Sequence, residues 1–171
     1  GVYAMLFATL AILLYVTMRF EWRFALGALA ALVHDVVIAV GYFALFQHEF
    51  SLPVLAAILT IIGYSLNDTI VVFDRIRENM RKYTKQTLND VINLSTNQVL
   101  NRTLMTSVTT LLVLLALYLW GGPVLQGFAE ALIVGILVGT YSSIYVAAPI
   151  VRWYERFKKE PSADDVPRYN A

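Results

Sequence analysis

Five stretches of this sequence are too long and too apolar for a soluble domain to hide. Residues 1–18 carry no charge, 24–46 are interrupted only by His34 and Asp35, and 52–73 only by Asn67 and Asp68. Residues 103–120 are again uncharged, and 124–151 contain only Glu130. Each is about as long as the 17–25 residues a helix needs to cross a bilayer, the last somewhat longer. In lipid a helix satisfies its backbone groups within itself. Only 15% of the chain is charged, against about a quarter in a soluble domain. The expected fold is therefore an all-α membrane protein of five transmembrane helices, at about 1–18, 24–46, 52–73, 103–120 and 124–151. A helical link over 74–102 and a polar tail over 152–171 complete it.

Charge placement orients these spans. All thirteen Lys and Arg residues fall in the connection after the first span, the link 74–102 and the tail. None falls in 47–51 or 121–123. The positive-inside rule makes the first set cytoplasmic, with the N-terminal end of this chain outside and the C-terminus inside. The start at "GVYAMLF" lacks a charged n-region, so the chain reads as a piece of something longer. Within the link, Asp74, Arg75, Arg77 and Glu78 continue the third helix into water. Thr87 and Asp90 have capping-box spacing, and Leu88, Val91, Ile92 and Val99 predict an amphipathic helix lying at the interface. Cysteine is absent, so disulfides and thiol chemistry are excluded.

Periodicity assigns the faces. In the third span Leu59, Ile62, Leu66, Ile70 and Phe73 form an apolar stripe expected to meet lipid. Thr60, Gly63, Tyr64, Ser65, Asn67 and Asp68 crowd the other side, which should meet protein. In the fourth, Leu104, Val108, Leu111, Leu115 and Leu119 oppose Arg102, Thr103, Thr106, Ser107, Thr109 and Thr110. In the fifth, Ala131, Gly135, Gly139, Ser143 and Ala147 recur every four residues, a small-residue ladder that lets another helix approach closely; Gly63 is a further packing position.

The intramembrane acids demand explanation. An Asp near mid-span costs about 2.5–3.5 kcal/mol on the insertion scale. Asp68 lies in the same half of the bilayer as Arg102, on a neighbouring span. It is either a protonatable site on an ion path, with Asn67 keeping its face hydrated, or one half of a static Asp68–Arg102 bridge. Asp35 shares a face with Ala28, Ala31 and Ala39 and is either a second relay group or a buried hydrogen-bonded tie with His34. Glu130 reads as snorkelling to the outer interface. No phosphate loop, HExxH or GxSxG occurs, and two His residues are too few for a metal site. No enzyme activity, cofactor or nucleic-acid contact is expected.

"GYSLNDTIVVFDRIREN" (63–79) resembles the signature of the SecF family, the smaller half of the SecDF protein-export complex. "VHDVVIAVGYFALF", "NRTLMTS" and "GGPVLQGFAEALIVGILVGTYSSIYVA" match it in the same order. The resemblance implies helices two to six of a six-helix half of the resistance–nodulation–division architecture, lacking the first helix and an external domain. It implies an inner-membrane accessory of the SecYEG channel that uses the proton-motive force to promote late stages of preprotein export. SecD, fused or separate, and YajC would be partners. It links Asp68 and Arg102 to proton passage. Glu130 departs from the family, where an apolar residue is common. The rival readings are half of another exporter of the same superfamily, or a passive scaffold of the channel.

Overall fold

The computed structural model describes residues 2–19 and 22–158. Among them every regular element is helical: α1 (Val2–Arg19), α2 (Trp22–Leu45), α3 (Leu52–Lys82), α4 (Leu88–Trp120), α5 (Gly122–Ser142), a π-helical turn (Ser143–Ala147) and α6 (Ala148–Lys158). Among the described residues four helical segments are long and apolar enough to cross a membrane: Phe24–Leu45, Leu52–Lys82, Leu88–Trp120 and Gly122–Trp153. The expected first span coincides with α1, a continuous 18-residue helix that is not one of these four, so four of the five expected spans are met. The connection between α1 and α2, and the tail beyond Lys158, lie outside the described residues.

The interfacial helix expected after Thr87 does not form a separate element. Residues 88–102 are the first half of α4, a single helix of 33 residues. The reason is local: no Gly or Pro stands between Leu88 and Trp120, so nothing separates the polar half from the apolar half. Likewise α3 runs unbroken into the link, ending on Arg81 and Lys82, cations that suit the negative end of the helix dipole. Thr87 starts α4: its hydroxyl accepts from the Asp90 amide at 3.3 Å and donates to the Asp90 carboxylate at 2.6 Å. Such a cap is worth about 1 kcal/mol. At the far end Gly122 holds φ +78°, a left-handed conformation that favours glycine, and Pro123 opens α5.

α3 and α5 make the most extensive helix pair; α2 packs on both, α4 flanks them and α1 touches α2. The cause is the small-residue ladder. Ala131, Gly135, Gly139, Ser143 and Ala147 are all buried. A Cβ on Gly135 would fall 2.3 Å from the Ile61 side chain, so only glycine lets α3 come this close. Gly63 behaves differently. It is exposed, and a Cβ there would meet nothing within 4 Å. It lies two residues from Ile61 and Ser65, about 200° round the helix at 3.6 residues per turn.

The expected lipid stripe of α3 is also corrected. Ile62, Leu66 and Phe73 are buried, whereas Thr60, Gly63 and Asn67 are exposed. Ile62, Leu66 and Phe73 face the aromatic and alanine-rich side of α2, where Phe24 and Phe73 rings meet at 5.2 Å. Hydropathy alone cannot distinguish lipid from such a neighbour. The α4 stripe does face outward, with Leu104, Val108, Leu115 and Leu119 exposed.

Candidate functional site

The buried apolar residues form two cores. One gathers Phe24, Ala28, Leu32, Phe73, Ile76, Val99 and Val151. The other gathers Ala39, Phe43, Ile58, Ile61, Leu114, Leu132 and Ile136. Along each of α2, α3, α4 and α5 a polar segment comes between the two. Its buried members are Asp35, Ser65, Thr69, Thr103, Ser107, Ser142 and Ser143, and Asp68 is partly buried. Hydroxyl side chains dominate this layer, and each offers both a donor and acceptor lone pairs.

Asp35 is sealed, with 1% exposure. Its Oδ2 accepts from Ser65 Oγ on α3 and from Ser142 Oγ on α5, the latter at 2.8 Å. Its Oδ1 lies 3.0 Å from His34 Nδ1. One carboxylate thus ties three helices, and Gly139 makes room: a Cβ there would sit 3.2 Å from Ser65 Cβ and 3.6 Å from Asp35 Oδ2.

Asp68 is held by two hydroxyls from other helical elements. Thr103 Oγ1 on α4 donates to Oδ1 at 2.7 Å, and Ser143 Oγ donates to Oδ2 at 2.6 Å. Ser143 begins the π-helical turn. That turn has a covalent cause in Pro149, which lacks an N–H and whose ring would clash with the Tyr145 carbonyl four residues back. A wider turn relieves the clash. A third hydroxyl chain runs beside the acids: Tyr64 OH donates to Ser107 Oγ at 3.2 Å, and Ser107 Oγ lies 2.6 Å from Thr140 Oγ1.

The expected meeting of Asp68 with Arg102 is not made. Among the described residues no ion pair joins them; Arg102 is exposed, and its neighbour Thr103 is the residue that turns inward. Asn67 is exposed as well, being one position, or about 100°, round from Asp68. Glu130 does more than reach for the surface. Tyr42 OH donates to its Oε1 at 2.8 Å, and His48 Nδ1 lies 3.2 Å from Oε2. Of the link residues, Arg75 pairs with Glu78 at 2.9 Å. Arg77 Nε is buried without a hydrogen-bond partner, and Asp74 lines the same surface recess as Arg77 and Glu78.

Sequence reasoning placed Asp35, Asp68 and the small residues of α5 but missed the hydroxyl partners Ser142 and, as an acid ligand, Ser143. A serine doublet followed by a proline six residues after its second member is the signal that was available.

The comparisons fit this arrangement. The family model for the C-terminal part of the protein export membrane proteins SecD and SecF matches residues 1–157. The chain is 53% identical over 166 residues to the protein translocase subunit SecF of Rhodobacter capsulatus, covering 95% of this chain and 50% of that protein. It is 51% identical over 158 residues to its counterpart in Rickettsia felis, covering 92% and 51%. The chain thus spans about half the length of the curated relatives it matches. Two crystal structures share the fold. SecDF from Thermus thermophilus, described as a translocon-associated membrane protein, aligns with TM-score 0.81 at 52% identity over 84% of this chain and 20% of its own. SecDF in its super-membrane-facing form gives 0.80 at 54% identity over 85% and 20%. A match along nearly the whole chain, in sequence and in helix arrangement, means that this chain belongs to the SecD/SecF family of protein export membrane proteins.

Proposed function

We propose that this chain is the membrane part of a SecF subunit that promotes preprotein export through the Sec translocase, drawing on the proton-motive force. The observation that carries the reading is Asp68: a partly buried carboxylate held by hydroxyls, at the edge of a polar layer between two apolar cores. A proton can bind there without a buried countercharge, and the hydroxyls can serve either protonation state. Asp35 would be the second acid of the same layer. Arg102, exposed in this arrangement, would act on Asp68 only in another conformation, so the ion path would be open or closed by movement of α4 relative to α3.

The partner reading rests on the exposed flank of α3 and α4. Thr60, Thr106 and Thr109 turn their hydroxyls onto carbonyls of their own helices. Asn67 and Arg102 have no such side-chain partner among the described residues. Hydrocarbon satisfies neither, so this flank is expected to be covered by protein, and the SecD half is the candidate cover. The SecYEG channel, YajC and the translocating preprotein would be met elsewhere in the assembly.

The deciding measurement uses full-length protein assembled with SecD in sealed vesicles. Asp68→Asn should assemble normally yet lose proton flux and proton-dependent stimulation of preprotein export. Wild-type flux and export would leave Asp68 a packing residue. Orientation is tested separately with single cysteines at the exposed positions Gln126 and Lys85. An impermeant thiol reagent added from outside should label the first and spare the second; reversed labelling overturns the assigned direction.

A further inference from the structure

Ser142 and Ser143 are consecutive, both are fully buried, and each serves a different acid. Ser142 reaches Asp35 and Ser143 reaches Asp68. Each also has a second acceptor on its own helix: Ser142 Oγ lies 3.2 Å from the Gly139 carbonyl, and Ser143 Oγ lies 3.0 Å from the Thr140 carbonyl. A serine has one hydroxyl proton, so it serves one of these acceptors fully at a time. Those two carbonyls stand where α-helical register gives way to the π-turn. The Ser143 amide itself bonds to the Gly139 carbonyl, so the Ser142 hydroxyl and the Ser143 amide share that oxygen.

We propose that the Ser142–Ser143 pair at the π-turn is a positioning element that couples the protonation state of Asp35 to that of Asp68. When Asp35 is a carboxylate, Ser142 donates to it. When a proton binds at Oδ2, the new acid O–H donates to Ser142 Oγ, and Ser142 turns its own proton to the Gly139 carbonyl. The serine gains and loses nothing; it changes acceptor. That change loads a carbonyl already bonded to the Ser143 amide and shifts the turn on which Ser143 rides. Ser143 then holds Asp68 more or less well, and the same sequence runs in reverse. The two acids therefore communicate through one peptide unit rather than only through space.

The charged and titratable groups on the surrounding elements leave this route unobstructed. On α2, His34 contacts Asp35 from its Oδ1 side. On α3, Tyr64 bonds to Ser107, and Asp74 and the link charges follow Asp68 toward the hairpin end. Arg102 on α4, Tyr141 on α5, Tyr145 in the turn and Arg152 on α6 are exposed. Glu130, at the other end of α5, is engaged by Tyr42 and His48.

This inference rests on the reading of Asp68 as a proton carrier, but its test is separate from proton flux. Infrared difference spectra of the full-length protein with SecD show each protonated acid as a carboxylic C=O band, assigned by its loss in Asp35→Asn and in Asp68→Asn. Of the two acids, Ser142 touches only Asp35. Ser142→Ala should nevertheless displace the pH midpoint of the Asp68 band by about one unit, the size at which two sites titrate as a pair. Ser143→Ala should do the same to the Asp35 band. In the double variant Asp35→Asn with Ser142→Ala, the Asp68 midpoint should match that of Ser142→Ala alone, since Asp35 acts through Ser142. If Asp35→Asn moves the Asp68 band and Ser142→Ala does not, the acids interact only through space and the proposal is overturned. It is equally overturned if each serine variant moves only the band of the acid it touches. Normal flux in Asp68→Asn would sink the proton-carrier reading while leaving these spectra to decide the coupling.

Discussion

The two sides of α3 are made from one helix and meet different surroundings. Toward α5, Ile58, Ile61, Ser65 and Thr69 recur at helical spacing and are buried. On the opposite side Thr60, Gly63 and Asn67 are exposed, and on neighbouring α4 Arg102, Thr106 and Thr109 are exposed as well. The seam is closed by small residues on the partner helix and sealed by Asp35. The flank keeps its polar groups uncovered. A substitution in the seam is therefore read as stability, and one on the flank as function. Asp68 sits at the border between them.

Glycine replacement should give the widest contrast. At Gly135 a Cβ would collide with both Cγ1 and Cδ1 of Ile61 at 2.3 Å, so α3 or α5 must shift. Gly135→Ala should cost about 1–3 kcal/mol, the usual range for overpacking, and Gly135→Leu should prevent stable folding. Gly63→Ala has open space and should gain up to about 1 kcal/mol from helix propensity. Denaturation of the full-length protein in mild detergent, without SecD, measures both. Equal losses at the two positions would mean that the flank is covered within the protein itself.

The acids should rank next. Intramembrane hydrogen bonds average about 0.6 kcal/mol each, because the unfolded state in the membrane also finds partners. Asp35→Ala removes contacts to Ser65, Ser142 and His34 and should cost about 2 kcal/mol on that scale. Asp68→Ala removes contacts to Thr103 and Ser143 and should cost about 1 kcal/mol. The same unfolding measurement tests the order. A larger loss for Asp68 would move it from the border into the seam.

Much of this was legible in the sequence. Long uncharged runs predicted helices, and the ladder from Ala131 to Ala147 predicted a close helix contact, because glycine and alanine in lipid have little other use. The polar side of α3 was legible too, but its surroundings were not. Periodicity separates Ile62 and Leu66 from Asn67 without saying that α2 covers the first pair. The Asp68–Arg102 meeting was inferred from two helices and one bilayer depth. One position of rotation, the difference between Arg102 and Thr103, was enough to undo it. The π-turn follows from Pro149, a local signal that hydropathy and face periodicity do not read.

The smallest stability effects belong to the flank, and they sharpen the contrast most. Arg102→Lys keeps the charge and loses the planar five-donor fork. In the full-length protein without SecD it should change stability by no more than about 0.5 kcal/mol, as expected at a surface away from special contacts. Asn67→Ala should behave alike. If Arg102 reaches Asp68 in another conformation, the lysine variant should still lose part of the proton flux measured with SecD present, because a point charge replaces a directional donor. A folding defect of the size predicted for Gly135→Ala would place Arg102 in the seam. Unchanged stability with unchanged flux would leave Arg102 as a surface charge and remove it from the proton path.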